Sequence, residues 1–376
     1  MKHTVQAIVL AAGRSTRFHT EKTKLSQSIC GQPMIVFSAK LLASLGIAIT
    51  IVVGHEKETI QHILSRYQDI PVTYITQEEQ LGTGHALACS QPLWDKENIL
   101  VINGDMPLVS STTIIDLFEQ HQKNNACVSF VTSCTPDKNI TQSYGRVISD
   151  NNNKIAIVEA KDFTGDATQY CCINAGIYLI KKDFLVNYIQ MLNSNNANNE
   201  FYITDLVNIA SENNKTVIKV SAPFDSIRGV NTLEELFIIE QIKRKELMHY
   251  WMNKGVRFLT DYNIHIDVDV TIGHDSCIEG NVYLKGKTSI GDNVYIHPFS
   301  IINNSTIQPQ SYVGPFAYVK NNILIPAPAM THKAVSTPKY NKQTNIHQVQ
   351  QRHEEENGFS FTGARLVHHD ILTEEQ

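Results

Sequence analysis

Short apolar runs rich in β-branched residues alternate with amphipathic stretches along the first third of the chain. The runs are Val5–Leu10, Ile47–Val53, Val72–Thr76, Ile99–Asn103 and Cys127–Thr132. Between them, helical spacing covers Pro33–Leu45, Glu56–Tyr67, Thr83–Leu93 and Thr112–Lys123, the first opening on a proline and closing at Gly46. This alternation predicts a Rossmann-like α/β domain with a mostly parallel sheet covered on both faces. Ligands in such sheets sit beyond the carboxyl ends of the strands, where both the Leu10–Arg17 loop and Gly104–Asp105 fall. Residues 133–230 are less regular, with Asn-rich turns at Asn151–Asn153 and Asn193–Asn199, and read as loops around an insertion or lid. A connecting helix is expected from Thr232 to about Lys254, capped by Asn231 or Thr232 with Glu234 and Glu235 nearby.

The pattern then changes period. Aliphatic residues recur at every sixth position from Ile266 to Ile302 and, after one shortened step, at Ile307, Val313 and Val319. Four residues after each of the first nine stands a small or β-branched residue, from Val270 and Ser276 through Thr306 and Ser311 to Ala317. Two inward positions per six residues predict a short left-handed hexapeptide β-helix of about three turns. The expected divisions are the α/β domain over 1–230, a connecting helix over 231–262, the β-helix over 263–322 and a polar, loosely ordered tail over 323–376.

Composition narrows the chemistry. With 42% hydrophobic and 18% charged residues the 376-residue chain is an ordinary globular one. Its net charge of −5 offers no field for nucleic acid, so the cations Arg14, Arg17, Lys22 and Lys24 are a local device. Seven scattered cysteines without a C-x-x-C pair read as reduced thiols in a cytoplasmic protein, and no apolar stretch is long enough to span a membrane. The loop from Leu10 through Ala11, Ala12 and Gly13 ends a strand in small residues, letting backbone N–H groups approach an anion beside those cations. It fits a triphosphate yet matches neither the Walker nor the dinucleotide glycine pattern. Asp105, after Asn103 and Gly104 at a strand end, suits a Mg²⁺ ion that also takes phosphate oxygens. Gln77, Gly82 and Thr83 lie on a strand-to-helix turn where a base edge can be read; His85 reads as a helix-surface histidine.

Together the strings LAAGRSTR, QEEQLGTGHA, GDMPL, SYGR, VEAKD, NAG, NNANNEFYITD and GVN resemble, in order and spacing, the bacterial N-acetylglucosamine-1-phosphate uridyltransferase family (GlmU-like) over about residues 5–320. The resemblance implies transfer from UTP to an amino-sugar 1-phosphate, within the supply of precursors for peptidoglycan. It assigns Leu10, Ala11, Ala12, Gly13, Gln77, Gly82 and Thr83 to the nucleotide, with Asn103 and Gly104 completing the shelf. Arg17 and Lys24 meet phosphates, Asp105 and Asn231 hold Mg²⁺, and Gly145, Glu159 and Asn174, with Asn231 beside them, contact the sugar. A homotrimer is implied as well.

Three positions depart from the family pattern: Ser15 stands where glycine is usual, Thr23 where proline is, and Asn103 where tyrosine is. None removes a charge, so activity is expected to survive. Family members continue the β-helix into turns that hold an acetyl-CoA site, whereas this repeat stops near residue 320, so acetyltransferase activity is not expected. Two other readings stay open: a nucleotidyltransferase for another sugar 1-phosphate, and a non-catalytic scaffold of the same fold.

Overall fold

The computed structural model describes residues 1–325 except 19–21, 135–142, 150–153 and 166–171. The Asn151–Asn153 turn and the tail from residue 326 lie outside the described residues. Nine strands form one sheet: β1 (Val5–Ala11), β2 (Ala48–Val53), β3 (Val72–Thr76), β4 (Asn98–Asn103), β5 (Val128–Cys134), β6 (Arg146–Ser149), β7 (Ile155–Val158), β8 (Cys172–Lys181) and β9 (Val217–Ser221). Seven follow the order β9-β5-β8-β4-β1-β2-β3, and β6 and β7 form a hairpin against β8. All seven run the same way except β8, which is antiparallel to both β4 and β5.

The helices are α1 (Met34–Ser44), α2 (Lys57–Leu64), α3 (Thr83–Cys89), α4 (Ser111–Lys123), α5 (Lys182–Tyr188), α6 (Asp205–Glu212) and α7 (Leu233–Met252). Two apolar clusters, one on each face, bury the sheet: Ala7, Val9 and Ile102 point to one, Ile8, Val101 and Tyr178 to the other. That two-sided burial is why the strands read as continuous apolar runs.

Residues 133–230 correct the reading of loops around a lid. They supply the central antiparallel strand β8, the β6–β7 hairpin, α5, α6 and the edge strand β9. Polar residues on β6 and β8 and the Asn-rich turns between elements mask the period-two signal there. The reduced-thiol reading is corrected for one pair, while Cys30, Cys89, Cys127 and Cys277 are free thiols. Cys134 and Cys172 stand opposite each other on β5 and β8 with Cα atoms 4.4 Å apart and are joined as a disulfide. A separation of 38 residues hides this neighbourhood, which only the strand pairing creates.

α7 begins with Thr232 accepting from the Glu235 N–H while Glu235 reaches back to the Thr232 N–H, a reciprocal cap. Beyond it, the strand Arg257–Phe258 starts a prism of three sheets with four, five and three short strands, parallel except for Ile323–Ile325, which runs antiparallel to Tyr318–Lys320. Hexad residues from Ile266 to Ile302 are buried, and Ser276, Thr288 and Ser300 turn their hydroxyls onto nearby backbone carbonyls. Thr306 departs from expectation. It is exposed and Ser305 is the buried small residue, because the shortened step falls before that position rather than after it. Ahead of α1, the hairpin of Ser28–Ile29 with Gln32–Pro33 rests on this prism: the Val268 N–H donates to Cys30 O at 2.9 Å, and Lys40 pairs with Asp269 at 3.2 Å.

Candidate functional site

β1, β2 and β4 all end at the same edge, and the terminal residues of β1 and β4 open a cavity of about 720 Å³. This is the size range of small-molecule sites. Leu10, Ala11, Ala12, Gly13, Lys24, Gln77, Gly82, Thr83, Asn103 and Asp105 all line it. Gly104 does not; its N–H donates to Leu10 O at 2.9 Å, tying the two strand ends together. A Cβ built on Gly13 would meet nothing within 4 Å, so the backbone there faces open space.

The loop after Gly13 turns at Ser15, which adopts a left-handed φ of 54°. That conformation costs a side-chain-bearing residue about 1 kcal/mol relative to glycine. Ser15 offsets part of this cost by accepting from Phe18 N–H at 2.9 Å and, through its hydroxyl, from Lys24 N–H at 3.3 Å. Thr23, with φ −56°, keeps a proline-like backbone and caps the short 3-10 turn by accepting from Leu25 N–H. Both departures from the family pattern thus preserve the loop's course and place Lys24.

Lys24 is the centre of the charged cluster. Its Nζ donates to Asp105 Oδ2 at 2.5 Å and to Asn231 Oδ1 at 3.0 Å, while Arg17 Nη2 donates to the same Asn231 oxygen at 3.0 Å. The Lys24 and Asp105 side chains are each 15% exposed, so this pair is only partly screened by water. Asn231 enters from the far end of the chain, held by its own N–H donating to Glu235 Oε2 and by Val230 N–H donating to Asp105 O. Residues from positions 17, 24, 105 and 231 therefore meet at one point beside the cavity.

Gly145, Glu159 and Asn174 form a second group that does not line that cavity. Asn174 N–H donates to Gly145 O at 2.9 Å, and the Glu159 carboxylate lies close to Gly145 and accepts from Thr204 at 3.0 Å. Asn174 sits at a bulge where the β5–β8 register shifts. Burial pushes the Glu159 carboxyl above its ordinary range, and the nearby acids Asp205, Asp162 and Glu200 push it further. Tyr144 bridges the two groups: its hydroxyl accepts from Gly229 N–H at 3.4 Å, and Gly229 borders Asp105 and Asn231.

Several contacts escaped sequence reasoning. Arg14 Nε donates to Gln80 Oε1 across the cavity mouth at 3.0 Å. His85 is more than a surface histidine: its Nδ1 lies 3.0 Å from Gln77 Nε2, which also donates to Gly82 O. Thr83 does not cap α3, whose cap is Gly82; its hydroxyl accepts from Ile203 N–H. Glu200 reaches the cavity from a segment 117 positions beyond Thr83, with no local signal.

The oxygens of Asp105 and Asn231 are hard donors suited to a divalent cation. Among the described residues no three His, Cys, Asp or Glu side chains group to hold a metal by themselves. A cation there would complete its shell from phosphate and water, the habit of Mg²⁺ at nucleotide sites.

Comparison with known proteins agrees with this architecture. Residues 7–142 match the MobA-like NTP transferase domain family, and residues 269–304 match the bacterial transferase hexapeptide family of six repeats. The bifunctional protein GlmU of Desulfotalea psychrophila is 33% identical over 312 residues, 82% of this chain and 90% of that protein. Those of Clostridium botulinum strains Loch Maree and 657 are each 33% identical, over 80% and 85% of this chain; the chain spans 66% and 68% of their lengths. A crystal structure of UDP-glucose pyrophosphorylase complexed with UDP-glucose superposes with a TM-score of 0.53 at 18% identity, over 65% of this chain and 99% of that one, a likeness of fold. A nucleotidyltransferase sheet joined to a hexapeptide β-helix, with relatives at this identity along most of the chain, makes this protein a member of the GlmU family.

Proposed function

We propose that the chain transfers a uridylyl group from UTP to N-acetylglucosamine 1-phosphate, giving UDP-N-acetylglucosamine and pyrophosphate. The observation that carries this reading is the meeting of Lys24, Arg17, Asp105 and Asn231 beside a cavity lined by Leu10–Gly13. In the reaction a phosphate oxygen of the sugar attacks the α-phosphorus of UTP, the bond from that phosphorus to the bridging oxygen of the β-phosphate breaks, and pyrophosphate leaves with the electron pair. No protein nucleophile is needed, because the attacking oxygen is already anionic. The protein positions the reactants and stabilises charge.

The open backbone at Gly13 receives the phosphates, and Arg17 and Lys24 neutralise charge that builds on the phosphoryl oxygens. Gln77 has its amide N–H₂ committed to Gly82 O and His85, which leaves its carbonyl oxygen to accept from an N–H of the uracil ring. Gly145, Glu159 and Asn174 supply directional hydrogen bonds to the amino sugar. Asp105 and Asn231 would hold Mg²⁺, which when bound withdraws charge from phosphate oxygens. The hexapeptide prism presents exposed aromatics such as Phe299, Tyr312 and Phe316, and a homotrimer built on it is part of the proposal. No helix among the described residues is long and apolar enough to cross a membrane, in keeping with a cytoplasmic enzyme.

The test is pyrophosphate release with Mg²⁺ and UTP, comparing N-acetylglucosamine 1-phosphate with glucose 1-phosphate and glucosamine 1-phosphate. Release with the acetylated sugar alone, lost in Asp105→Ala, is the expected result. Preference for another sugar would replace the substrate and keep the reaction; no release with any sugar would turn the reading to a scaffold.

A further inference from the structure

Two residues are assigned to a divalent cation, and in this structure one oxygen of each already accepts from a cation of the protein itself. Lys24 Nζ bridges Asp105 Oδ2 and Asn231 Oδ1, and Arg17 Nη2 occupies the remaining acceptor capacity of that Asn231 oxygen. The arrangement is braced. Asn231 is fixed through its N–H on Glu235, Asp105 through its carbonyl on Val230, and Lys24 through its N–H on the Ser15 hydroxyl. An ammonium hydrogen-bonded to both oxygens excludes a hard cation from the same pair, since each needs the lone pairs that point between them.

We infer that Lys24 is a place-holder for the divalent cation, and that it leaves Asp105 and Asn231 only when nucleotide phosphates give its ammonium a new acceptor. The inference rests on the metal assignment made under the proposed function. Lys24 lines the same cavity as Gly13, so an incoming triphosphate lies within reach of the side chain's flexible stem. Without nucleotide, Lys24 keeps the Asp105 carboxylate paired in a partly buried setting, where a lone charge would be costly. With nucleotide, one movement of Lys24 both neutralises the phosphates and frees the cation site. Nucleotide and cation are therefore coupled through a single side chain, and coupling of this kind is reciprocal. The free protein holds divalent cation weakly, and loss of the lysine relieves that weakness while damaging phosphate binding.

The experiment measures Mn²⁺ binding to the nucleotide-free, full-length protein by the electron paramagnetic resonance signal of the free ion. Wild type is compared with Lys24→Met, with Lys24→Gln as a second variant that removes the charge but keeps a donor, and with Lys24→Met combined with Asp105→Asn. Lys24→Met is expected to bind one Mn²⁺ at least tenfold more tightly than wild type, and Asp105→Asn to abolish that gain. Wild-type binding as tight as that of both Lys24 variants, and dependent on Asp105, would overturn the place-holder and leave the metal site standing. Tight binding in Lys24→Met that survives Asp105→Asn would remove the metal assignment itself and the inference with it.

Discussion

The nucleotidyltransferase sheet and the hexapeptide prism use the left-handed backbone for different ends. Among the described residues of the prism, ten residues other than glycine have positive φ, and six of them are asparagine, recurring at its corners. In the sheet domain five do, and one of these is Ser15 in the phosphate loop. Asparagine tolerates the conformation by bonding locally, so in the prism it is the commonest residue at these turns, with Asp275, Phe299, Gln310 and Phe316 at the others. At Ser15 the same conformation occurs once and serves to carry the chain toward Lys24. Repeated along the prism the conformation makes architecture; at Ser15 it serves the site.

Placing a carboxylate in the phosphate loop gives the largest effect. Gly13→Asp has open space for its side chain, so the melting temperature should hold, while turnover falls on the order of a thousandfold as the new charge meets the phosphates. A fall in stability matching the loss of turnover would erase the distinction between the two regions. In the prism the reverse is expected. Leu284→Ala empties a fully buried hexad position and should cost about 4 kcal/mol of stability, seen in urea melts, with kcat/KM of the folded fraction unchanged.

Acid should separate the regions next. His121 is buried between Ser129 and Asn98, and burial, reinforced by Lys181, lowers its pKa from 6.5 to about 4. Because the folded value lies below the unfolded one, the stability that neutral His121 confers is complete above pH 6.5. It is lost as pH falls toward 4, and the total is about 3 kcal/mol. The prism core buries serine and threonine but no histidine, so far-UV circular dichroism at pH 4.5 should show the sheet domain melting first, a difference that His121→Gln reduces. The smallest effect lies at Ser15. Ser15→Ala keeps the strained backbone and loses the bond to Lys24, costing about 1 kcal/mol, whereas Ser15→Gly trades that bond for relief of strain and leaves the melting temperature nearly unchanged.

The same contrast governs how much the sequence discloses. Periodicity marked the buried hexad positions from Ile266 to Ile302, but the prism begins at Arg257 rather than at the expected residue 263, and the step before Ser305 moved the buried position away from Thr306. The parallel strands β1 to β4 were legible as apolar runs, and Gly13, Lys24 and Asp105 as chemistry at their ends. What stayed hidden depends on distant pairing. β8 entered the sheet between β4 and β5 with polar Asn174 near its start, and Cys134 found Cys172 only through that insertion. His85 looked like a surface residue because its partner Gln77 lies across a turn, at a spacing with no helical meaning. Arg17, Lys24, Asp105 and Asn231 were individually visible, yet their mutual bonds follow from α7's cap and the β4 end arriving together.

The hairpin at Ser28–Pro33 follows Lys24 by a few residues and stands on the prism through the Cys30–Val268 bond. A prism with three hydrogen-bonded walls is a stiff footing, so the segment that delivers Lys24 is anchored at its downstream end to the part of the molecule least able to yield. A protein cut before residue 256 would retain every side chain assigned to the reaction and still lose the ground on which the phosphate loop is braced. What reads as an appendage to the enzyme domain is, for that loop, its foundation.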